Sequence, residues 1–133
     1  MTSPIYYFRP LEGQYCMKSI VKLEDDLVSI LREIVKEEQP FFTLTVSTDE
    51  ICMIKSCENT PDGWSDYKIM ELTTPDPGKD EAGILAPVTR EFASRGIPIL
   101  CNSTNKCNYI MFPLDREEEV NNLIEISQEF FFD

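Results

Sequence analysis

The sequence predicts an α+β fold, with antiparallel sheets and helices on one face. Three observations predict it. Strand-like runs come in adjacent pairs joined by short turns, the mark of antiparallel pairing. Three segments repeat apolar residues at spacings of three and four, the mark of amphipathic helices. The order strand, helix, strand, strand occurs once in each half of the chain, and a helix closes the second half. Each half, residues 1–62 and 63–133, is about 60 residues and marginal alone, so the halves are expected to share a core or a continuous sheet.

Residues 5–9 (Ile-Tyr-Tyr-Phe-Arg) read as a short aromatic strand, 10–14 as a turn and 15–22 as a strand. Asp25 or Asp26 can cap a helix running to about Glu38, with Leu27, Ile30, Leu31 and Ile34 as its stripe. Gln39-Pro40 ends it, because the residue before proline avoids the helical region. From Phe41 to Ser47 the chain alternates, with Phe42, Leu44 and Val46 on one face. Thr48-Asp49-Glu50 turns it into the strand 51–55, a hairpin. Residues 57–66, with Pro61-Asp62-Gly63, form a turn-rich loop and the boundary between halves.

Residues 67–72 read as a strand and 73–81 as a loop rich in proline and glycine. A helix follows over 84–95, with Ile84, Leu85, Val88 and Phe92 inward. Pro87 requires that it lie in the first turn, and Gly96 is the expected terminator. Strands follow at 97–103 and 109–112. Asp115 and Glu118 suggest a capping box ahead of a last helix lined by Val120, Leu123, Ile124, Ile126 and Phe130.

Composition narrows function. Against 12 basic residues stand 24 acidic ones, a net charge of −12. That argues against nucleic acid and anionic membrane surfaces as partners. The chain has no histidine, so the commonest general base and every His-containing zinc site are excluded. No apolar run reaches the roughly 18 residues of a membrane span, and the start lacks the look of a signal peptide. Five cysteines (Cys16, Cys52, Cys57, Cys101, Cys107), an odd count, point to free thiols in a reducing cytoplasm. Cys16, Cys52 and Cys101 lie in apolar strand-like runs and read as small buried hydrophobes. No metal site and no cofactor is expected.

Gly83-Ile84-Leu85-Ala86-Pro87-Val88, followed by Phe92-Ala93-Ser94-Arg95-Gly96-Ile97-Pro98-Ile99-Leu100-Cys101-Asn102-Ser103-Thr104, resembles a signature of the ACT family, in its tandem ACT-like branch. Phe42-Thr43-Leu44-Thr45 and Thr48-Asp49-Glu50-Ile51-Cys52-Met53 resemble a first-half motif of that branch. Small two-ACT proteins and the halves of the CASTOR arginine sensors share this layout, and the likeness covers roughly residues 15–128. The resemblance implies two ferredoxin-like βαββαβ units, 1–62 and 63–133. It also implies a homodimer and a regulatory role in binding an amino acid or similar metabolite between units.

The candidate site has two walls. Gly83 would let backbone approach a ligand, and the N–H groups of Ile84 and Leu85 would bind its carboxylate at a helix N-terminus. The blander alternative is that Gly83 merely starts a helix. Ser103, Thr104, Asn105 and Asn108 would form the opposite wall, with Thr104 and Asn108 accepting from an ammonium group. The alternative there is a polar hairpin loop. Relatives carry Asp where Asn108 stands and, in the arginine sensors, an acidic residue is expected where Ala86 stands. With Lys106 nearby, a neutral or acidic ligand fits better than arginine or lysine.

Two rivals remain. Lys106-Cys107 is the best nucleophile, but no base partners it, so an enzyme is not expected. A ligand-free interaction module would use an apolar face, such as the C-terminal Phe130-Phe131-Phe132, on a protein partner.

Overall fold

The computed structural model describes residues 7–20, 27–36, 41–73, 85–104 and 106–131. Its elements are β1 (Tyr7–Pro10), β2 (Gln14–Ile20), α1 (Leu27–Lys36), β3 (Thr43–Val46), β4 (Ile51–Cys57), β5 (Ser65–Thr73), α2 (Leu85–Ser94), β6 (Leu100–Ser103), β7 (Asn108–Pro113) and α3 (Glu117–Phe131). The strands hydrogen-bond as one seven-stranded antiparallel sheet in the order β3-β4-β2-β5-β7-β6, with β1 also on β5. By contacts the chain forms a continuous unit, Glu12–Tyr67, and a split unit, Met1–Leu11 with Lys68–Asp133. The division thus falls between 67 and 68, where the sequence reading put it between 62 and 63.

In the continuous unit, β2 and β4 pair along their whole length, from Gln14 opposite Cys57 to Ile20 opposite Ile51. The β3–β4 hairpin closes through Ser47 and Glu50, whose backbone and hydroxyl bonds satisfy the tight turn. Ile51 and Met53 are buried, and Ile20, Phe42, Leu44 and Trp64 pack against them. Tyr15 is fully buried and meets Phe41 edge-on, ring centroids 6.2 Å apart. Gly63 turns the chain with φ +84°, a conformation that side chains resist, and returns it into β5.

In the split unit, β1 pairs with the end of β5, from Tyr7 opposite Thr73 to Pro10 opposite Met70. Met70 and Leu72 of β5 and Ile110 and Phe112 of β7 point to one face. Val88 and Phe92 of α2 and Val120 and Leu123 of α3 cover that face. Each such side chain contributes about 1.5–3 kcal/mol on burial. Gly96, at φ +67°, ends α2 as the sequence requires. Ile97 N–H donates to the Phe92 carbonyl and Gly96 N–H to that of Ala93, which satisfies the helix end. This capping occupies 95–98, so β6 begins only at Leu100 and not at 97.

The expected fold class is corrected here. Neither unit is a contiguous βαββαβ motif. In the continuous unit residues 58–64, with Pro61-Asp62-Gly63, join β4 to β5 directly, and no helix stands between them. In the split unit the fourth strand is β1, supplied by the N-terminus, and none follows α3 among the described residues. β5 is the reason. It has nine residues; Ser65–Tyr67 pair with β2, and Met70–Thr73 pair with β1. One strand therefore completes both pairings, and the ferredoxin-like ACT architecture gives way to a single strand-rich sheet. The capping box also fails: Asp115 sits inside a 3-10 turn, Leu114–Arg116, whose cap Pro113 makes no side-chain bond. Arg116 instead pairs with Glu119, 2.7 Å apart. Asp25, Asp26, Gln39, Pro40 and Phe132, and the side chains of Phe130 and Phe131, lie outside the described residues.

Candidate functional site

Every site residue expected from the sequence belongs to the split unit. Gly83, Ile84 and Asn105 lie outside the described residues. Leu85 is the first residue of α2, and its half-buried side chain packs on the apolar core. Pro87 stands in the first turn of α2, where a missing N–H costs nothing. Ser103 and Asn108 face each other as a register pair that closes the β6–β7 hairpin.

The ends of the elements fall at one edge of the unit for a topological reason. β7 lies between β5 and β6 and runs opposite to β6. Its first residues stand near the last of β5, since Tyr109 lies within electrostatic reach of Glu71. The end of β6 is therefore at the same edge as the end of β5. α2 must run back along the sheet to reach the start of β6, so its own start is at that edge too. The N-terminus of α2 and the Ser103–Asn108 hairpin therefore lie toward the same end of the sheet.

The hairpin spends its polar groups on itself. Ser103 Oγ donates to Asn108 Oδ1. Thr104 Oγ1 accepts from the backbone N–H groups of Lys106 (3.2 Å) and Cys107 (3.4 Å). Its hydroxyl donates to the Cys107 carbonyl, and the Thr104 N–H does the same at 2.9 Å. The result is a rigid turn rather than an open set of acceptors. Lys106 is left exposed at its tip and, among the described residues, ion-pairs with no carboxylate.

Behind the turn lies a cluster the sequence did not disclose. Cys107 is buried, and the Tyr109 hydroxyl donates to its sulfur. This bond, with burial, pushes the Tyr109 phenol up to about 12. Arg9 of β1 pairs with Glu71 of β5, and both charges bear on Tyr109. The pairing of β1 with β5 joins Arg9 to Glu71, that of β5 with β7 brings Tyr109 beside them, and no local spacing signals either. Of the cysteines expected to be buried, Cys16 is and Cys52 half is, whereas Cys101 is exposed because β6 is the last strand of the sheet. A cavity of about 10 Å³ under Phe8, Val88, Phe92 and Leu123 holds at most one water and is no ligand site.

The fold is shared with solved structures. A protein from Agrobacterium tumefaciens, Atu0741, superposes with a TM-score of 0.72 at 18% identity, over 92% of this chain and 89% of that one. VC0802 from Vibrio cholerae, described as a protein of unknown function and possible transport protein, superposes with a TM-score of 0.65 at 10% identity, over 90% and 88%. No family model and no curated protein matches the chain. Among the described residues no helix is long and apolar enough to cross a membrane.

Proposed function

We propose that this protein is a regulatory binding protein for a small carboxylate metabolite, an amino acid or a close analogue, and that it is cytoplasmic and not an enzyme. One observation carries the reading. The start of α2 and the hairpin tip lie toward the same end of the split unit, and the exposed Lys106 stands at that tip. The unpaired N–H groups of a helix's first turn attract an anion, and a lysine beside them adds to that attraction. In a chain of net charge −12, a cation that pairs with no carboxylate among the described residues is a natural anchor for an acidic or neutral amino acid. Self-satisfaction of Ser103, Thr104 and Asn108 favours recognition by charge over a dense side-chain network. The burial of Cys107 and its bond from Tyr109 support a non-catalytic role. Free thiols support the compartment.

A second reading rests on a different feature. β6 is the last strand of the sheet and carries Leu100, 40% exposed, so its edge could take a strand from a partner or a second copy. Thermal unfolding against the twenty amino acids and small dicarboxylates separates the two. A ligand at 100 times its dissociation constant adds about 2.7 kcal/mol. The expected result is a Tm rise of several degrees with one chemical class, reduced at least tenfold in apparent affinity by Lys106→Glu. A flat screen, with dimerisation abolished by Leu100→Lys, would replace the first reading by the second.

A further inference from the structure

We infer that Cys16 and Cys57 form a reversible redox pair, closed to an intramolecular disulfide by a peroxide. The two lie in the continuous unit on adjacent strands β2 and β4. Gln14 stands opposite Cys57 and Cys16 opposite Lys55, so the two cysteines are diagonal neighbours on one face of the sheet. The two thiols are close enough that Cys57 helps raise the pKa of Cys16. They differ in access: Cys16 is fully buried, Cys57 half-buried. Gln14 Nε2 donates to Cys57 Sγ at 3.8 Å and to Thr60 Oγ1 at 3.0 Å. Thr60 in turn donates to Asp66 at 3.3 Å.

The asymmetry assigns the roles. The thiolate is the nucleophile. Cys57 is reachable from solvent, so it meets the oxidant first. Cys16 is fully buried and shielded from the oxidant, so it takes the second, resolving position. In the first step the Cys57 thiolate attacks one peroxide oxygen. An S–O bond forms, the O–O bond breaks, and the leaving hydroxide takes a proton to become water. In the second step Cys16 sulfur attacks the sulfenic sulfur. The S–S bond forms, the S–O bond breaks, and the Cys16 proton leaves with the second water. The dithiol gives up two electrons and the peroxide accepts them.

Reversibility follows from the register. Diagonal neighbours in an antiparallel pair sit about 7–8 Å apart, a little beyond the usual span of roughly 4.4–6.8 Å between bridged α-carbons. The strands must draw together, and a bridge so strained is easily reduced. A mild dithiol should reopen it.

The test treats the reduced full chain with dilute hydrogen peroxide, then quenches, denatures and alkylates it. The expected product has lost two hydrogens in intact mass and two of its five titratable thiols, with Cys16 and Cys57 joined in the peptide map. Dithiothreitol should restore all five. Cys57→Ser should abolish the link, Cys101→Ser should preserve it, and Cys16→Ser should leave a sulfenic acid on Cys57 that dimedone labels. Oxidation that leaves Cys16 and Cys57 unlinked, or links other cysteines, overturns the inference. Because the wild-type peptide map decides this alone, a variant that fails to fold does not shield it.

Discussion

Two turns in this protein use the same residue types to opposite ends. Among its described residues, the hairpin from Ser103 to Asn108 ties its hydroxyl and amide groups to one another and to its own backbone, and it leaves Lys106 exposed. The connection from Cys57 to Asp66 spends its groups between strands. Gln14, Thr60 and Asp66 form a relay around a pair of thiols, one of them reachable from solvent. The first arrangement makes a stiff platform, and the second makes a chemically responsive seam. Motif reading is drawn to the first, because Ser, Thr and Asn crowd together there. The chemistry of the second is visible only once β2 and β4 are placed in register.

The platform and the seam also rest on different supports, and this gives the largest expected effect. Ile110 behind the hairpin is fully buried among Met70, Val88, Phe92, Phe112 and Val120. Met53 behind the seam is buried too, but half-buried side chains (Ile20, Phe42, Leu44 and Trp64) surround it. Large-to-small changes cost about 2–5 kcal/mol, the most where the cavity cannot collapse. Ile110→Ala should therefore sit near the top of that range and Met53→Ala near the bottom, measured by urea unfolding. Equal costs would mean that the two supports are equally rigid.

Next in size comes the link behind the platform. Tyr109→Phe removes the hydroxyl that bonds Cys107 and should cost about 0.5–1.5 kcal/mol at neutral pH. Its pH signature is on the alkaline side. The folded phenol is raised from 10.0 to about 12, so its contribution is complete below 10.0 and is lost as pH rises through about 12. The stability gap between wild type and Tyr109→Phe should close over that window. A gap that stays constant would show that the bond to Cys107 is not what raises the phenol.

Individual elements were legible in the sequence because their signals are local. Gly96 ends α2, Pro87 stands in its first turn, and Thr48-Asp49-Glu50 turns a hairpin. The architecture was not legible, because β5 reads as a strand whichever neighbours it takes. Nothing in Ser65–Thr73 announces that its first residues pair with β2 and its last with β1. For the same reason the sequence named Ser103, Thr104 and Asn108 but missed the Arg9–Glu71–Tyr109–Cys107 cluster, which forms only when β5 takes β1 on one side and β7 on the other. The capping box at Asp115 was a matching spacing that a 3-10 turn took over, since Pro113 already fixes the chain's entry.

The smallest effects test the contrast most directly, through one threonine from each turn. Thr104 Oγ1 holds two backbone N–H groups and one carbonyl of its own turn. Thr60 Oγ1 holds only side chains, those of Gln14 and Asp66. Both sites reach water, so each loss is partly compensated. Thr104→Ala should cost about 1 kcal/mol, because a turn must release backbone donors that its side chain had satisfied. Thr60→Ala should cost a few tenths, because Gln14 can turn to solvent. Hydrogen exchange separates the causes. Thr104→Ala should speed exchange at the Lys106 and Cys107 amides by several-fold, whereas Thr60→Ala should leave backbone protection in its loop unchanged. If both variants loosen their backbones alike, then the platform is as pliant as the seam, and a ligand site that depends on a rigid hairpin tip loses its footing.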